Sequence, residues 1–101
     1  MEALKAAFNQ EMRELYQKMS AVGYTSSRFL QMINDADGGY GYGAAKRLVS
    51  TMSAGFVKLH SLGHLELSVE AYVLKSEYNS LFNDNERQVC RDRLEQCGYK
   101  F

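Results

Sequence analysis

Asp37–Leu48, DGGYGYGAAKRL, packs four of the chain's eight glycines and two of its seven tyrosines into its first seven residues. A glycine-rich loop that opens a helix is one layout of a phosphate site, where free N–H groups and the positive end of the helix dipole meet an anion. Such a loop follows a strand, and a Walker-type loop ends in Gly-Lys-Ser/Thr. Neither condition holds here. Phe29, Leu30 and Ile33 have helical spacing ahead of the loop, and Lys46 is followed by Arg47. Asp37–Gly43 therefore reads as a connector between two helices rather than a nucleotide cradle, and the chain as all-α.

The flanking sequence supports that reading. Leu4, Phe8, Met12, Leu15 and Met19 recur at four- and three-residue steps, one apolar stripe on a long first helix over Glu2–Val22, which Gly23 ends. Thr25, Ser26 or Ser27 caps a second helix, about Ser27–Ala36. A third spans about Ala44–Met52, with Ala45, Leu48, Val49 and Met52 inward, and a fourth about Gly55–Leu62, stopped by Gly63. Ser68 caps a fifth that continues to Leu74, and Ser76 is a further cap before a turn holding Tyr78, Leu81 and Phe82. Asn83 or Asp84 caps the last helix, with Glu86 three after Asn83 as in a capping box; the helix buries Val89, Cys90, Leu94 and Cys97 and ends at Gly98. Alternating β-branched runs and prolines are absent. The expectation is one compact domain of five or six helices over residues 1–101, long helix first.

Twelve basic residues balance twelve acidic ones. That weighs against a protein that coats nucleic acid and against an acidic solvating tail. Residues 23–63 carry a net +2 and residues 64–80 a net −2, so these segments attract each other or leave a mildly basic face near the loop. No apolar run approaches a membrane span, and the N-terminus lacks the layout of a signal peptide, so the expected location is cytoplasmic. Cys90 and Cys97 lie two turns apart on one helix, about 10 Å along its axis, too far for a disulfide between them.

Chemistry-bearing patterns are few. His60 and His64 have ligand spacing, but Gly63 interrupts them and no HExxH is present, so no metal or other cofactor is expected. No nucleophile elbow occurs, and no histidine neighbours either cysteine to lower its pKa, so the chain does not read as an enzyme. The second and third helices have the order of a helix-turn-helix, with Lys46 and Arg47 early on the second of the pair, but the loop is long and base-reading side chains are scarce. Tyr40 and Tyr42 alternate with glycines, and in an all-α chain no helix buries both on one face. A contact surface results, with Tyr40 and Tyr42 as anchors and Lys46, Arg47 and Arg28 as its charges.

Gly55–Leu59, Leu65–Leu74, Tyr78–Phe82 and Cys90–Leu94 through Gly98-Tyr99 resemble a family of small, largely uncharacterised helical proteins of bacteria and their mobile elements. Phe29–Ile33 and Ala44–Leu48 resemble it too, whereas Asp37–Gly43 is longer and richer in tyrosine than the family pattern. The resemblance implies a standalone all-helical domain with no established activity, and no catalytic residues to carry over. It also implies a phage or mobile-element setting, in which such a protein inhibits a host defence system in the manner of an anti-CRISPR. The functional expectation is a non-enzymatic module that docks on or blocks another macromolecule, a protein before a nucleic acid.

Overall fold

The computed structural model describes residues 2–50 and 54–100. Among these, six α-helices follow one another: α1 Glu2–Ala21, α2 Ser27–Asn34, α3 Tyr40–Ser50, α4 Ala54–Leu62, α5 Val69–Val73 and α6 Asp84–Gln96. Short 3-10 turns at Leu65–Leu67 and Ser76–Leu81 raise the helical elements above the expected five or six. No strand occurs among the described residues, so the chain is all-α.

The α1 stripe is the axis of the packing. Phe8, Met12, Leu15 and Met19 are all buried, as their spacing on one helical face requires. α2 and α3 lie across α1 and against each other, adding Phe29, Ile33, Ala44, Ala45 and Val49 to the main core. The ring of Phe8 meets Tyr78 edge-on at 4.9 Å and Phe82 at 5.4 Å, holding the second 3-10 turn on α1. Phe56, Leu65 and Leu94 form a smaller cluster between α4 and α6, and Tyr99 folds back onto it. Cys90 is buried and Cys97 half-buried, and both are free thiols.

Most caps are local and fall where the sequence places them. Ser26 Oγ accepts from the Phe29 amide at 3.1 Å. Ser68 Oγ accepts from Ala71, and Asn83 and Glu86 exchange both bonds of a capping box, at 2.7 and 2.9 Å. Ser76 does not cap: Lys75 precedes the 3-10 turn and offers no side-chain bond, because that turn is held by the burial of Tyr78 and Leu81 instead. α2 stops at Asn34 rather than Ala36, since Asp35 turns extended and its carboxylate accepts the Asp37 amide at 3.1 Å. Met52, expected to be buried on α3, lies outside the described residues.

One buried ion pair ties three helices together. Glu70 of α5 is 2 % exposed, and its carboxylate meets Arg93 of α6 at 3.0 Å. The same guanidinium donates to the carbonyls of Leu48 and Val49 at 3.0 and 2.9 Å, in the last turn of α3. Arg93 thereby fastens the described end of α3 to α5 and α6.

Candidate functional site

The glycine-rich segment is shorter as a loop than its composition suggests. Only Asp35–Gly39 connect α2 to α3, and the helix begins at Tyr40, four residues before the expected Ala44. The Tyr40 amide donates back to the Asp35 carbonyl at 2.9 Å, across a turn in which Gly39 and Tyr40 both have positive φ, +89° and +54°. Tyr-Gly-Tyr-Gly starts a helix here because its first turn is fastened from outside. Asn9 of α1 accepts the Tyr42 amide on Oδ1 at 2.7 Å, an N-terminal cap supplied by another helix.

The glycines let backbones touch. A methyl group at Gly41 would lie 2.7 Å from Cβ and Cγ of Met12 and 3.2 Å from Cα of Asn9. At Gly43 it would overlap the Gly38 carbonyl. The dense glycine is thus explained by close approach, with α1 and the preceding turn as the surfaces approached.

The five residues expected to form a contact surface divide into two groups. Tyr42 and Lys46, one turn apart, face α1 and α6. The Tyr42 hydroxyl donates to the Leu81 carbonyl at 2.9 Å, and its ring lies 5.6 Å from Phe82. Lys5 and Lys46 place their ammonium groups 5.0 and 5.7 Å from that ring. Lys46 also pairs with Glu86 at 2.8 Å; that hydrogen bond chiefly raises the lysine's pKa. Both side chains therefore join α3 to its neighbours.

Tyr40, Arg47 and Arg28 form the other group. Tyr40 opens α3, and Arg47 lies seven residues further along it. Tyr40 is 40 % exposed. Arg47 lies 3.9 Å from the Asp35 carboxylate, and Arg28 is exposed with no ion-pair or hydrogen-bond partner among the described residues. Both arginines line a groove of about 320 Å³ between α2 and α3, with Gln31, Met32, Asp35 and Leu48.

Elsewhere, charged groups serve packing. Lys46, Glu70 and Lys75 find partners outside the two segments of opposite charge, in Glu86, Arg93 and Glu11. His64 pairs with Glu66 at 2.9 Å while His60 is exposed, and among the described residues no three His, Cys, Asp or Glu gather as metal ligands. Burial, reinforced by the Glu70 carboxylate, pushes the Cys90 thiol up to about 12, which leaves it protonated and unreactive.

Four carboxyls, Glu11, Glu66, Glu70 and Glu86, are shifted and set the acid response. Burial alone would raise Glu11, but hydrogen bonds from Lys75 at 2.7 Å and from the Tyr78 hydroxyl outweigh it and hold the group below its usual range. Glu86 is lowered in the same way, by Lys46 and the Asn83 amide against burial. Such groups stabilise the fold above their unfolded pKa of about 4.3, and that contribution is lost as pH falls through the folded value. Glu70 has the opposite sign: burial raises it despite Arg93, so its contribution is fullest at low pH and fades as pH rises through its folded value. Glu66 is lowered as well, chiefly by its hydrogen bond with His64; with three lowered carboxyls against one raised, Tm is expected to fall from about pH 5 to pH 3. Glu11→Gln should make that fall shallower in thermal melts across the range; an unchanged slope would mean Glu11 has no part in it.

No helix among the described residues is long and apolar enough to cross a membrane. Compared with known family models, curated proteins and solved structures, the chain gives no significant match to any of them.

Proposed function

We propose that this protein is a non-enzymatic docking module that binds another protein through the face shared by α2 and α3. Tyr40 is the anchor, Arg28 and Arg47 are its flanking charges, and Tyr42 and Lys46 hold the helix that presents them. The observation that carries the reading is Tyr40 itself. It is an exposed aromatic whose backbone sits at φ +54°. That region costs a residue with a side chain roughly 1–2 kcal/mol, and glycine or asparagine would occupy it with less strain. An exposed tyrosine in a position the fold does not favour is a mark of contact, because aromatic side chains dominate the energetics of protein interfaces.

Stability and binding should separate at this residue. Tyr40→Asn is expected to leave the urea midpoint unchanged, or to raise stability by up to about 1 kcal/mol through release of strain. In affinity capture from the native host followed by calorimetric titration of the captured protein, the same variant should bind about 5- to 30-fold more weakly. Equal affinity for wild type and variant would remove Tyr40 from the interface. A nucleic-acid complex that needs Arg28 and Arg47 and weakens steeply with salt would replace the reading altogether.

A further inference from the structure

The α2–α3 groove does not end at Leu48. A second cavity of about 300 Å³ shares Arg28, Met32 and Leu48 with it and runs inward beneath α4. Its inner walls are apolar, formed by Met19, Phe29, Phe56, Leu59 and Val69. Besides Arg28, four polar residues also line it, Tyr24, Ser26, Ser68 and Glu70, and the two most buried, Ser68 and Glu70, are already satisfied. Ser68 donates to the Leu65 carbonyl at 2.7 Å and accepts from Ala71 at 3.2 Å, while Glu70 is paired with Arg93. Among the described residues the deep wall therefore rewards chiefly apolar surface, the polar atoms of Tyr24 and Ser26 belonging to less buried lining residues. A negative charge placed deep inside would also meet the Glu70 carboxylate. At the mouth the situation reverses, since Arg28 is a solvent-facing guanidinium with no partner among the described residues.

We propose that this cleft binds a small carboxylate with a compact apolar body, an aromatic ring or a branched aliphatic group, its body between Phe29, Leu59 and Val69 and its carboxylate on Arg28. The volume is at the lower end of small-molecule sites, which suits one ring rather than a long chain. The planar guanidinium suits a carboxylate, which can take two of its N–H groups at once. The site needs Arg28 and the cavity but not Tyr40, so it stands or falls apart from the docking reading.

The test is a titration of the full ¹⁵N-labelled chain with 3-phenylpropionate and, separately, with its neutral amide, followed by amide chemical shifts. Saturable shifts at Phe29, Leu59 and Val69 are expected for the acid below about 10 mM, with the amide at least about fivefold weaker. Arg28→Gln, on an exposed side chain, should weaken the acid to the level of the amide and leave the amide unchanged, whereas Tyr40→Asn should alter neither. N-acetyl-Gly-Gly-Phe with a free terminus distinguishes the sources: binding of either acid upholds the shared chemistry, and the tighter one names whether a free metabolite-sized acid or a peptide end supplies it. Absence of saturable shifts, shifts confined to the surface of α2, or equal affinity for acid and amide would overturn the proposal.

Discussion

Replacing Arg93 with alanine should remove about 3–5 kcal/mol of stability, the range for stripping one partner from a buried ion pair. The variant loses its pair with Glu70 and two bonds to the end of α3 in a single change. What remains is a carboxylate that is 2 % exposed with no countercharge, and the Leu48 and Val49 carbonyls without the Arg93 donor. Domains of this size are stable by only about 5–15 kcal/mol, so the variant should be poised near unfolding at physiological temperature. Urea denaturation at pH 7 measures the loss. A double variant, Arg93→Met with Glu70→Leu, separates the parts. It removes both charges while keeping volume, so it should recover most of the deficit, and the residue left over reports the Leu48 and Val49 carbonyls. If the single variant melts like wild type, Arg93 is not holding these helices together.

The second large effect concerns Gly41 and Gly43, and its sign runs against helix propensity. Both residues lie inside α3, where alanine is favoured over glycine by about 1 kcal/mol. Propensity alone therefore predicts that Gly→Ala stabilises. Close packing predicts the reverse. The new methyl at Gly41 would press on Met12 and on the backbone of Asn9, and at Gly43 it would displace the Gly38 carbonyl, neither of which can yield at low cost. Overpacking of this kind typically costs about 1–3 kcal/mol, more where backbone must move. A net loss of about 2 kcal/mol or more is expected for each variant in urea melts, after the propensity gain is subtracted. A gain in stability at either position would show that the α1–α3 contact is looser than these distances imply.

The features that the sequence makes legible are the ones written over short spans. The α1 stripe repeats every three or four residues, Ser68 caps an amide three residues on, and the Asn83–Glu86 box closes within three. Each is a local rule that a linear reading applies directly. The features it hides are long-range. Asn9 caps Tyr42 from a different helix, Glu70 and Arg93 pair 23 residues apart, and Arg93 reaches Leu48 from 45 residues away. No spacing rule links them, because the chain brings them together only once α1, α3, α5 and α6 are packed. The candidate site divides the same way. Tyr40 and Tyr42 are conspicuous as residues in a glycine-rich segment, and in a helix, where two residues are about 200° apart, they fall on different faces. Which one points outward depends on how α3 packs, with Tyr42 held against Leu81 and Phe82 and its amide on Asn9.

That foreign cap also orders events in time. A helix opening with Tyr-Gly-Tyr-Gly has a poor nucleus of its own, since nucleation must fix several flexible residues for a single hydrogen bond. One first-turn amide, that of Tyr42, is held by a residue 33 positions upstream. α3 is therefore expected to assemble on a preformed α1 rather than alongside it, and a synthetic peptide of residues 37–50 should show no helix by circular dichroism. Substituting Asn9 should slow refolding more than it speeds unfolding, the kinetic mark of a contact made early. In this protein the first helix is the template on which the third is begun.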